Sequence, residues 1–356
     1  MTNAMILITA LAATVSMVEC FIDLHNALAD DRFNGYTVTL SVGRSKKQVA
    51  ALFSTTDDLT MTQCTNSRRD IPCSDRRCQS FSEKNCRVGS GSCFYDIQTG
   101  DGTISKGSVS TETLGLAGNS GSVMLGCVDA NVAPVAGFGR GPLSILGQLN
   151  INSFAYCLSS GTTGKLGWGQ EAGVPGGVVL PLVQDRTTPQ FLFVGVASVG
   201  PQGSSVALPG RRMLISTATS LTKLPGKENS LLNRAVQDYI KAKNNKMRPF
   251  GYGTGLLDTC YNNMTTSFVV FSTCWLDPLV PGYFPDIELT SGAGKLVVPK
   301  ERAFVAIDRK KTKICLAVSK ATGEPILGSL WQTDFMVGIS TTANTVTFKK
   351  TSPSCA

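Results

Sequence analysis

Two short stretches of the chain carry the residues with the most suggestive chemistry, and both are rich in hydroxyl groups. Residues 51–64 run from an apolar segment into Ser-Thr-Thr-Asp-Asp and end at a cysteine. Residues 212–225 repeat the design, with an apolar run followed by Ser-Thr-Ala-Thr-Ser. Two such loops, one in each half of the chain, indicate a duplicated fold whose working centre lies where two lobes meet.

A serine in these loops could act as a nucleophile only with a base to remove its proton. The chain's single histidine, His25, lies outside both predicted lobes. Lys223 follows the second loop, and its long side chain is expected to reach the surface rather than to activate Ser216. We therefore expect no serine-type hydrolase at this centre.

The composition predicts a mostly β protein in two lobes that position these loops. The chain has 356 residues, more than a single hydrophobic core usually serves. Its 36 glycines, 16 prolines and charged content of 16% favour many short strands and turns over helices. We predict an amino-terminal lobe over residues 33–185, a carboxy-terminal lobe over residues 190–355, and a crossing within residues 181–190.

Three local patterns refine this prediction. Residues 95–116 are typical of a hairpin with its tip at Gly-Asp-Gly, residues 100–102. The glycine-rich residues 137–149 lack the βαβ surroundings of a dinucleotide loop, so no cofactor is expected. Residues 229–244 have the spacing of an amphipathic helix, with these side chains predicted in the core: Leu231, Leu232, Ala235, Val236, Tyr239 and Ile240.

The formal net charge of +8 favours an acidic partner or acidic surroundings. The basic residues are dispersed, and none of their small clusters alternates with aromatic residues as a single-strand nucleic-acid groove would. We expect no nucleic-acid partner.

Twelve cysteines indicate disulfides formed in an oxidising compartment, with free buried thiols as the alternative. The five cysteines within residues 64–93 have no CxxC spacing, and no histidine lies near them, so a metal site is not expected. These residues are predicted to form a stapled surface insertion. The disulfide candidates are Cys64, Cys73, Cys78, Cys86, Cys93, Cys127, Cys157, Cys260, Cys274, Cys315 and Cys355.

The amino terminus favours export. Residues 4–18 form a run of small and apolar residues with the length of a signal-peptide core, so residues 1–20 are a possible signal peptide. No basic residue precedes this run, and a buried terminal strand or helix is the alternative. No later segment is long and apolar enough to span a bilayer. Asn263 begins the only glycosylation sequon, which matters if the chain is secreted.

The two loops and their surroundings resemble the plant pepsin-like aspartic proteases of the nepenthesin type and their inhibitor-like relatives. In that family the first loop reads D-T-G-S-D-L-T-W-x-Q-C, and residues 54–64 fall on this pattern without a gap. The resemblance implies an all-β, bilobal pepsin-like fold with a few short helices, a disulfide-rich insertion and a flap hairpin over a cleft. Further matching motifs begin at Cys93, Gly137, Phe154, Leu257, Lys313 and Pro325.

The catalytic residues of that family do not carry over. Proteolysis there depends on two carboxylates that share a proton and hold a water between them. Ser54 and Ser216 occupy the two carboxylate positions, and no Asp or Glu occurs within residues 186–227. Asp57 and Asp58 are present, but Asp58 matches the acidic residue that normally follows the motif. No catalytic residue is therefore expected.

Other departures agree with this interpretation. Thr56 and Ala218 replace the glycines that let the family's two loops pack closely. Thr99 stands where the resemblance places the flap tyrosine. The loss of both acids, both glycines and the flap ring indicates a site that is not maintained for catalysis. The alternative is that the chain is the product of a defunct gene, which would show the same losses.

The resemblance implies a secreted, apoplastic and monomeric protein that binds and inhibits a microbial glycoside hydrolase in plant defence. Xylanase inhibitors of this group use a histidine in the second lobe, and this chain has none there, so the target enzyme is left open. Two alternatives are an aspartic-type endopeptidase and a storage or carbohydrate-binding scaffold.

Overall fold

A computed structural model describes residues 13–14, 36–79, 91–98, 104–116, 119–129, 131–159, 163–252, 257–262, 280–307, 313–351 and 355. Outside this set lie Thr99, Asn263, Cys20, Cys86, Cys274, the predicted hairpin tip and most of the predicted signal peptide. Strands dominate the described residues, as the composition predicts.

The first half of the chain contains strands β1 to β11. They are β1 (Ala13–Thr14), β2 (Thr37–Val42), β3 (Lys47–Ser54), β4 (Met61–Thr62), β5 (Arg69–Asp70), β6 (Phe94–Gln98), β7 (Ile104–Leu116), β8 (Asn119–Cys127), β9 (Val135–Gly137), β10 (Ser153–Cys157) and β11 (Thr163–Trp168).

The second half contains strands β12 to β27. They are β12 (Val178–Val183), β13 (Phe193–Gly195), β14 (Ser198–Pro201), β15 (Val206–Ala207), β16 (Arg212–Ile215), β17 (Thr222–Pro225), β18 (Phe250–Tyr252), β19 (Leu257–Asn262), β20 (Ile287–Thr290), β21 (Lys295–Val298), β22 (Phe304–Ala306), β23 (Lys313–Leu316), β24 (Val318–Ala321), β25 (Ile326–Leu327), β26 (Phe335–Ser340) and β27 (Thr345–Lys350).

Among the described residues the helices are short, with one exception. They are α1 (Arg76–Gln79), α2 (Ile145–Gln148), α3 (Gly226–Lys243), α4 (Lys300–Ala303) and α5 (Ser329–Gln332), and two single 3₁₀ turns span Gly169–Ala172 and Pro209–Arg211. None of the described helices is long and apolar enough to cross a membrane.

Helix α3 is the predicted amphipathic helix, but one predicted core residue is wrong. Leu232, Val236 and Ile240 are buried and Ala235 and Tyr239 are half-buried, whereas the Leu231 side chain is exposed. Asn229 and Asn233 take buried positions on the inner face instead. They can do so because the Asn229 amide donates to Asp258 at 2.7 Å and the Asn233 amide donates to the Asn229 carbonyl at 2.8 Å.

The same four-strand unit occurs twice. In the first half, β3 and β9 run parallel, β4 pairs with β9 antiparallel, and β4 pairs with β8 in parallel. In the second half, β16, β25, β17 and β24 follow the same order with the same three orientations. The predicted duplication is therefore present in the backbone pairing, and each hydroxyl-rich loop leaves the first strand of its unit.

A shared sheet joins the two halves. Strand β10 pairs along its length with β26, and β12 pairs with both β27 and β13. Strands β10 and β11, which lie within the predicted amino-terminal lobe of residues 33–185, thus also form part of a sheet with strands from the end of the chain. Part of the predicted crossing, Pro181–Val183, is itself strand.

Four disulfides lie within the described residues. Cys64 bonds Cys127 and Cys78 bonds Cys93 in the first half, and Cys260 bonds Cys315 in the second. Cys157 bonds Cys355 and ties the end of the chain to β10. Cys73 is also disulfide-bonded. No cysteine of the described part is free, which agrees with the predicted oxidising compartment.

Candidate functional site

Each hydroxyl-rich loop begins where a buried strand ends between two neighbours. The Phe53 ring, just before the first loop, packs edge-on against Phe138 at 4.7 Å and Tyr156 at 5.3 Å. The Ser54 carbonyl accepts from the Phe138 N–H at 2.7 Å, and in the second half the Ser216 N–H donates to the Leu327 carbonyl at 3.1 Å. The core and the strand ladder therefore fix the position of both serines.

The two loops meet through a reciprocal pair of threonines. The N–H of Thr55 donates to Thr217 Oγ1 at 3.2 Å, and the N–H of Thr217 donates to Thr55 Oγ1 at 3.2 Å. Each hydroxyl then donates across the junction, from Thr55 to the Ile215 carbonyl at 2.8 Å and from Thr217 to the Phe53 carbonyl at 2.6 Å. Both side chains are fully buried. The two hydroxyl-rich loops therefore meet where the two halves join, and this is the place at which the sequence predicts the working centre.

The first loop carries a carboxylate beside its serine. The Ser54 hydroxyl donates to Asp57 Oδ2 at 2.5 Å, and its oxygen lies 3.1 Å from Thr56 Oγ1. Ser54 is fully buried and Asp57 is only 4% exposed. The pattern D-[ST]-G-[ST] has an acid first and a hydroxyl fourth, whereas this chain has the hydroxyl at Ser54 and the acid at Asp57. The two groups are exchanged, and they bond to each other.

The second loop supplies hydroxyls and a methyl group. The Ser216 oxygen accepts from the Thr219 N–H at 3.1 Å, and Ala218 lies next to it with 6% exposure. No acidic residue exists within residues 186–227 to replace a carboxylate at Ser216. The junction therefore has one acidic side chain, Asp57, on one side and none from the facing loop.

The replaced glycines are accommodated without left-handed backbone. Neither Thr56 nor Ala218 is among the residues with positive φ. Both side chains are nearly buried, so the loops enclose the extra atoms that the sequence predicts they must fit.

A buried glutamine forms hydrogen bonds with the backbone of the second loop. Gln332, in α5, donates from Nε2 to the carbonyls of Ser216 at 2.9 Å and Leu327 at 2.8 Å. Its Oε1 accepts from the Tyr156 hydroxyl on β10 at 2.5 Å. Burial raises the pKa of Tyr156 far above its usual range, so the hydroxyl stays a donor. The second loop is thereby linked to the shared sheet.

Asp58 anchors the first loop to the segment before α2. Its Oδ2 accepts from the Leu143 N–H at 3.1 Å, and its carboxyl lies where a side chain on residue 141 would stand, so that position needs Gly141. Burial raises the pKa of Asp58 from 3.8 to about 6, an effect that the nearby backbone amides partly offset. Asp58 is a structural acid, in agreement with its assignment to the residue after the motif.

The raised pKa of Asp58 makes its contribution to stability depend on pH. Because the native state holds the proton more tightly than the unfolded chain, stability falls as pH rises from about 4 to 6. Asp58→Asn cannot ionise, so we expect its free energy of unfolding, relative to the unsubstituted protein, to increase by about 2 kcal/mol between pH 3.5 and 7. Denaturant titrations at both pH values measure this difference.

The matched control for this prediction is Asp96→Asn, which removes an exposed carboxylate paired with Lys106. Its relative free energy of unfolding should change by less than about 1 kcal/mol over the same range. An equal pH dependence in the two variants would contradict the assignment to Asp58.

Asp57 and Gln332 were not assigned roles from the sequence. For Asp57 a signal existed, because positions one and four of the motif carry an acid and a hydroxyl in the family and carry the same two groups in exchanged order here. For Gln332 there was none, since its contacts come from three separated segments. Within the described ranges, no three His, Cys, Asp or Glu side chains gather in a metal-binding arrangement.

Comparison with known proteins gives a consistent set of similarities. The family "Xylanase inhibitor N-terminal" matches residues 36–170. "Protein ASPARTIC PROTEASE IN GUARD CELL 2" of Arabidopsis thaliana is 26% identical, over 85% of this chain and 69% of that protein. "Aspartic proteinase nepenthesin-1" of Nepenthes gracilis is 26% identical, over 88% of this chain and 77% of that protein.

A solved structure shows the same fold. Conglutin gamma, a basic 7S globulin from lupine seeds, superposes with a TM-score of 0.69 at 15% identity, covering 90% of this chain and 92% of its own. At this identity the likeness concerns the fold alone. The predicted all-β, bilobal pepsin-like fold with few helices is confirmed.

Proposed function

We propose that this chain, a pepsin-like and xylanase-inhibitor-like relative of the plant aspartic proteases, is a secreted binding protein without proteolytic activity. Its partners are glycoside hydrolases, which it inhibits. The observation that carries the proposal is the junction of the two loops, where Asp57 bonds to Ser54 and the facing second loop supplies no acidic side chain.

The chemistry of peptide hydrolysis by such a site requires two carboxylates in different protonation states. One takes a proton from water while the other donates a proton to the leaving group. Asp57 could fill one role, but the facing residues Ser216 and Thr217 carry hydroxyls that remain neutral at any ordinary pH. The Ser54 hydroxyl also donates a hydrogen bond to Asp57 Oδ2 at 2.5 Å, so one of the two carboxylate oxygens already has a partner.

The binding role is supported by the match of residues 36–170 to a xylanase-inhibitor family. Secretion is supported by the buried disulfides, which persist in oxidising compartments and are rare in the cytosol. A basic surface with formal charge +8 would favour association with acidic enzymes or wall polysaccharides.

An aspartic endopeptidase is the second candidate, because the curated relatives are aspartic proteases and Asp57 keeps a carboxylate at the junction. It would have to work with a single acid. Two experiments separate the candidates.

The first experiment measures cleavage of an unfolded protein substrate at acidic pH, with and without pepstatin. We expect no pepstatin-sensitive cleavage, and we expect Asp57→Asn to match the unsubstituted protein. The variant Ser54→Asp/Ser216→Asp tests whether the carboxylate couple is what is missing. Pepstatin-sensitive cleavage by the unsubstituted protein that Asp57→Asn abolishes would establish the endopeptidase instead.

The second experiment immobilises the protein and passes purified microbial xylanases and xyloglucan-specific endoglucanases over it. We expect stoichiometric capture of at least one enzyme, with loss of its hydrolytic activity. Repeating the capture at high ionic strength removes attraction between dispersed charges. Failure of all the enzymes to bind, together with retention of an acidic polysaccharide, would favour a carbohydrate-binding scaffold.

A further inference from the structure

A row of directly paired residues crosses four strands of the second half. Phe193 of β13 pairs with Leu214 of β16, Leu214 pairs with Ile326 of β25, and Ile326 pairs with Lys223 of β17. Directly paired residues of neighbouring strands point to the same face of the sheet. Three apolar side chains and one ammonium group therefore line up on one face.

This row forms the floor of a concave pocket. The pocket is open to solvent on one side and has a volume of about 530 Å³, which lies in the range of small-molecule sites. Phe191, Thr188 and the turn over residues 321–324 complete its wall. Leu214, Ile326 and Phe191 are only half-buried, so they present apolar surface to an occupant.

The other cations at the pocket already have partners. The Arg212 guanidinium contacts Asp185 at 2.5 Å and Glu324 at 2.8 Å, and it lies 4.3 Å from the centre of the Phe193 ring. Lys320 lies 3.6 Å from Asp258. These contacts leave the Arg212 cluster with a net negative charge at one end of the pocket.

Lys223 differs from these residues. It is half-buried beside Ile326, and no described carboxylate or hydrogen-bond acceptor contacts its ammonium group. A bound anion would balance this charge and accept hydrogen bonds from the ammonium group. The pocket thus combines an apolar floor with one uncompensated positive charge on β17, which β25 separates from the β16 strand that carries Arg212.

We propose that this pocket binds a small amphipathic carboxylate, with its carboxylate on Lys223 Nζ and its apolar body over Leu214, Ile326 and Phe191. The negative charge around Arg212 sets the orientation, since it repels the carboxylate from that end. The site is separate from the loop junction, so it is independent of the proposed inhibition of glycoside hydrolases.

The test uses octanoate and its uncharged analogue octanamide, titrated into the full-length protein by calorimetry or ligand-observed NMR. For a ligand of this size we expect octanoate to bind with a dissociation constant of about 1 mM or below. Lys223→Met keeps the length and apolar stem of the side chain and removes its charge. It should weaken octanoate binding by about 10-fold or more, while octanamide binding changes by less than about 2-fold.

The matched control is Lys227→Met, which removes an exposed lysine outside this pocket. Octanoate should bind this variant as it binds the unsubstituted protein. The proposal is overturned if octanoate shows no binding up to about 10 mM. It is also overturned if Lys223→Met binds octanoate as well as Lys227→Met does, because the anion would then sit elsewhere.

Discussion

Replacing Thr217 with valine is expected to lower the free energy of unfolding by about 3 kcal/mol. Valine keeps the branched shape, so packing changes little, but the hydroxyl is lost. The N–H of Thr55 then has no acceptor at this site, and the carbonyl of Phe53 loses its donor. Both groups lie in a fully buried junction, where an unsatisfied backbone group costs about 1–3 kcal/mol.

A threonine elsewhere in the protein provides the control. Thr62 is also fully buried, and its hydroxyl has no hydrogen-bond partner among the described residues. Thr62→Val should therefore leave stability unchanged or raise it slightly. Denaturant titrations of both variants compare the same chemical change with and without hydrogen bonds. Equal losses of stability would show that the reciprocal threonine pair does not hold the loops together.

A double-mutant cycle extends this test to the link between the halves. Thr55→Val and Thr217→Val remove different hydrogen bonds of one buried network, so their effects should be coupled and should not add. The double variant should be less destabilised than the sum of the two single variants. Strict additivity would show that the two hydroxyls hold the loops independently of each other.

The position of these loops could be predicted from the sequence because each follows a buried strand and precedes a similar run of hydroxyls. The duplication of the motif also implied the duplicated strand unit that the backbone shows. What the motif could not supply was the direction of the side chains. Only the folded loop shows that Ser54 turns its hydroxyl onto Asp57.

Other features depend on contacts between distant segments. The residues of β10 lie within the predicted amino-terminal lobe, and nothing in their sequence shows that β10 pairs with β26 from the end of the chain. In α3, apolar spacing alone placed Leu231 in the core. Asn229 and Asn233 are buried there instead, with their amide N–H groups donating to Asp258 and to the Asn229 carbonyl, contacts that apolar spacing does not reveal.

The last prediction concerns the bridge between Cys157 and Cys355. It closes 198 residues of chain and fastens the carboxy terminus to β10, next to Tyr156. In the chain-entropy account, a bridge stabilises by restricting the unfolded state, and more so for a longer loop. We expect Cys157→Ala/Cys355→Ala to lower the free energy of unfolding by about 5 kcal/mol.

The comparison is with Cys78→Ala/Cys93→Ala, which removes a bridge between two cysteines only 15 residues apart. All four cysteines are nearly or fully buried, so the two pairs of substitutions remove similar buried volume. Removing the shorter bridge should lower the free energy of unfolding by about 3 kcal/mol. The remaining difference of about 2 kcal/mol between the two variants then measures the effect of loop length. If the two variants lose equal stability, the long bridge acts through local contacts and does not restrain the unfolded chain.

Such local contacts would extend to the second loop, because Tyr156 donates to Gln332 and Gln332 donates to the Ser216 carbonyl. Faster amide exchange at Ser216 in the Cys157→Ala/Cys355→Ala variant, but not in the other, would then reveal them.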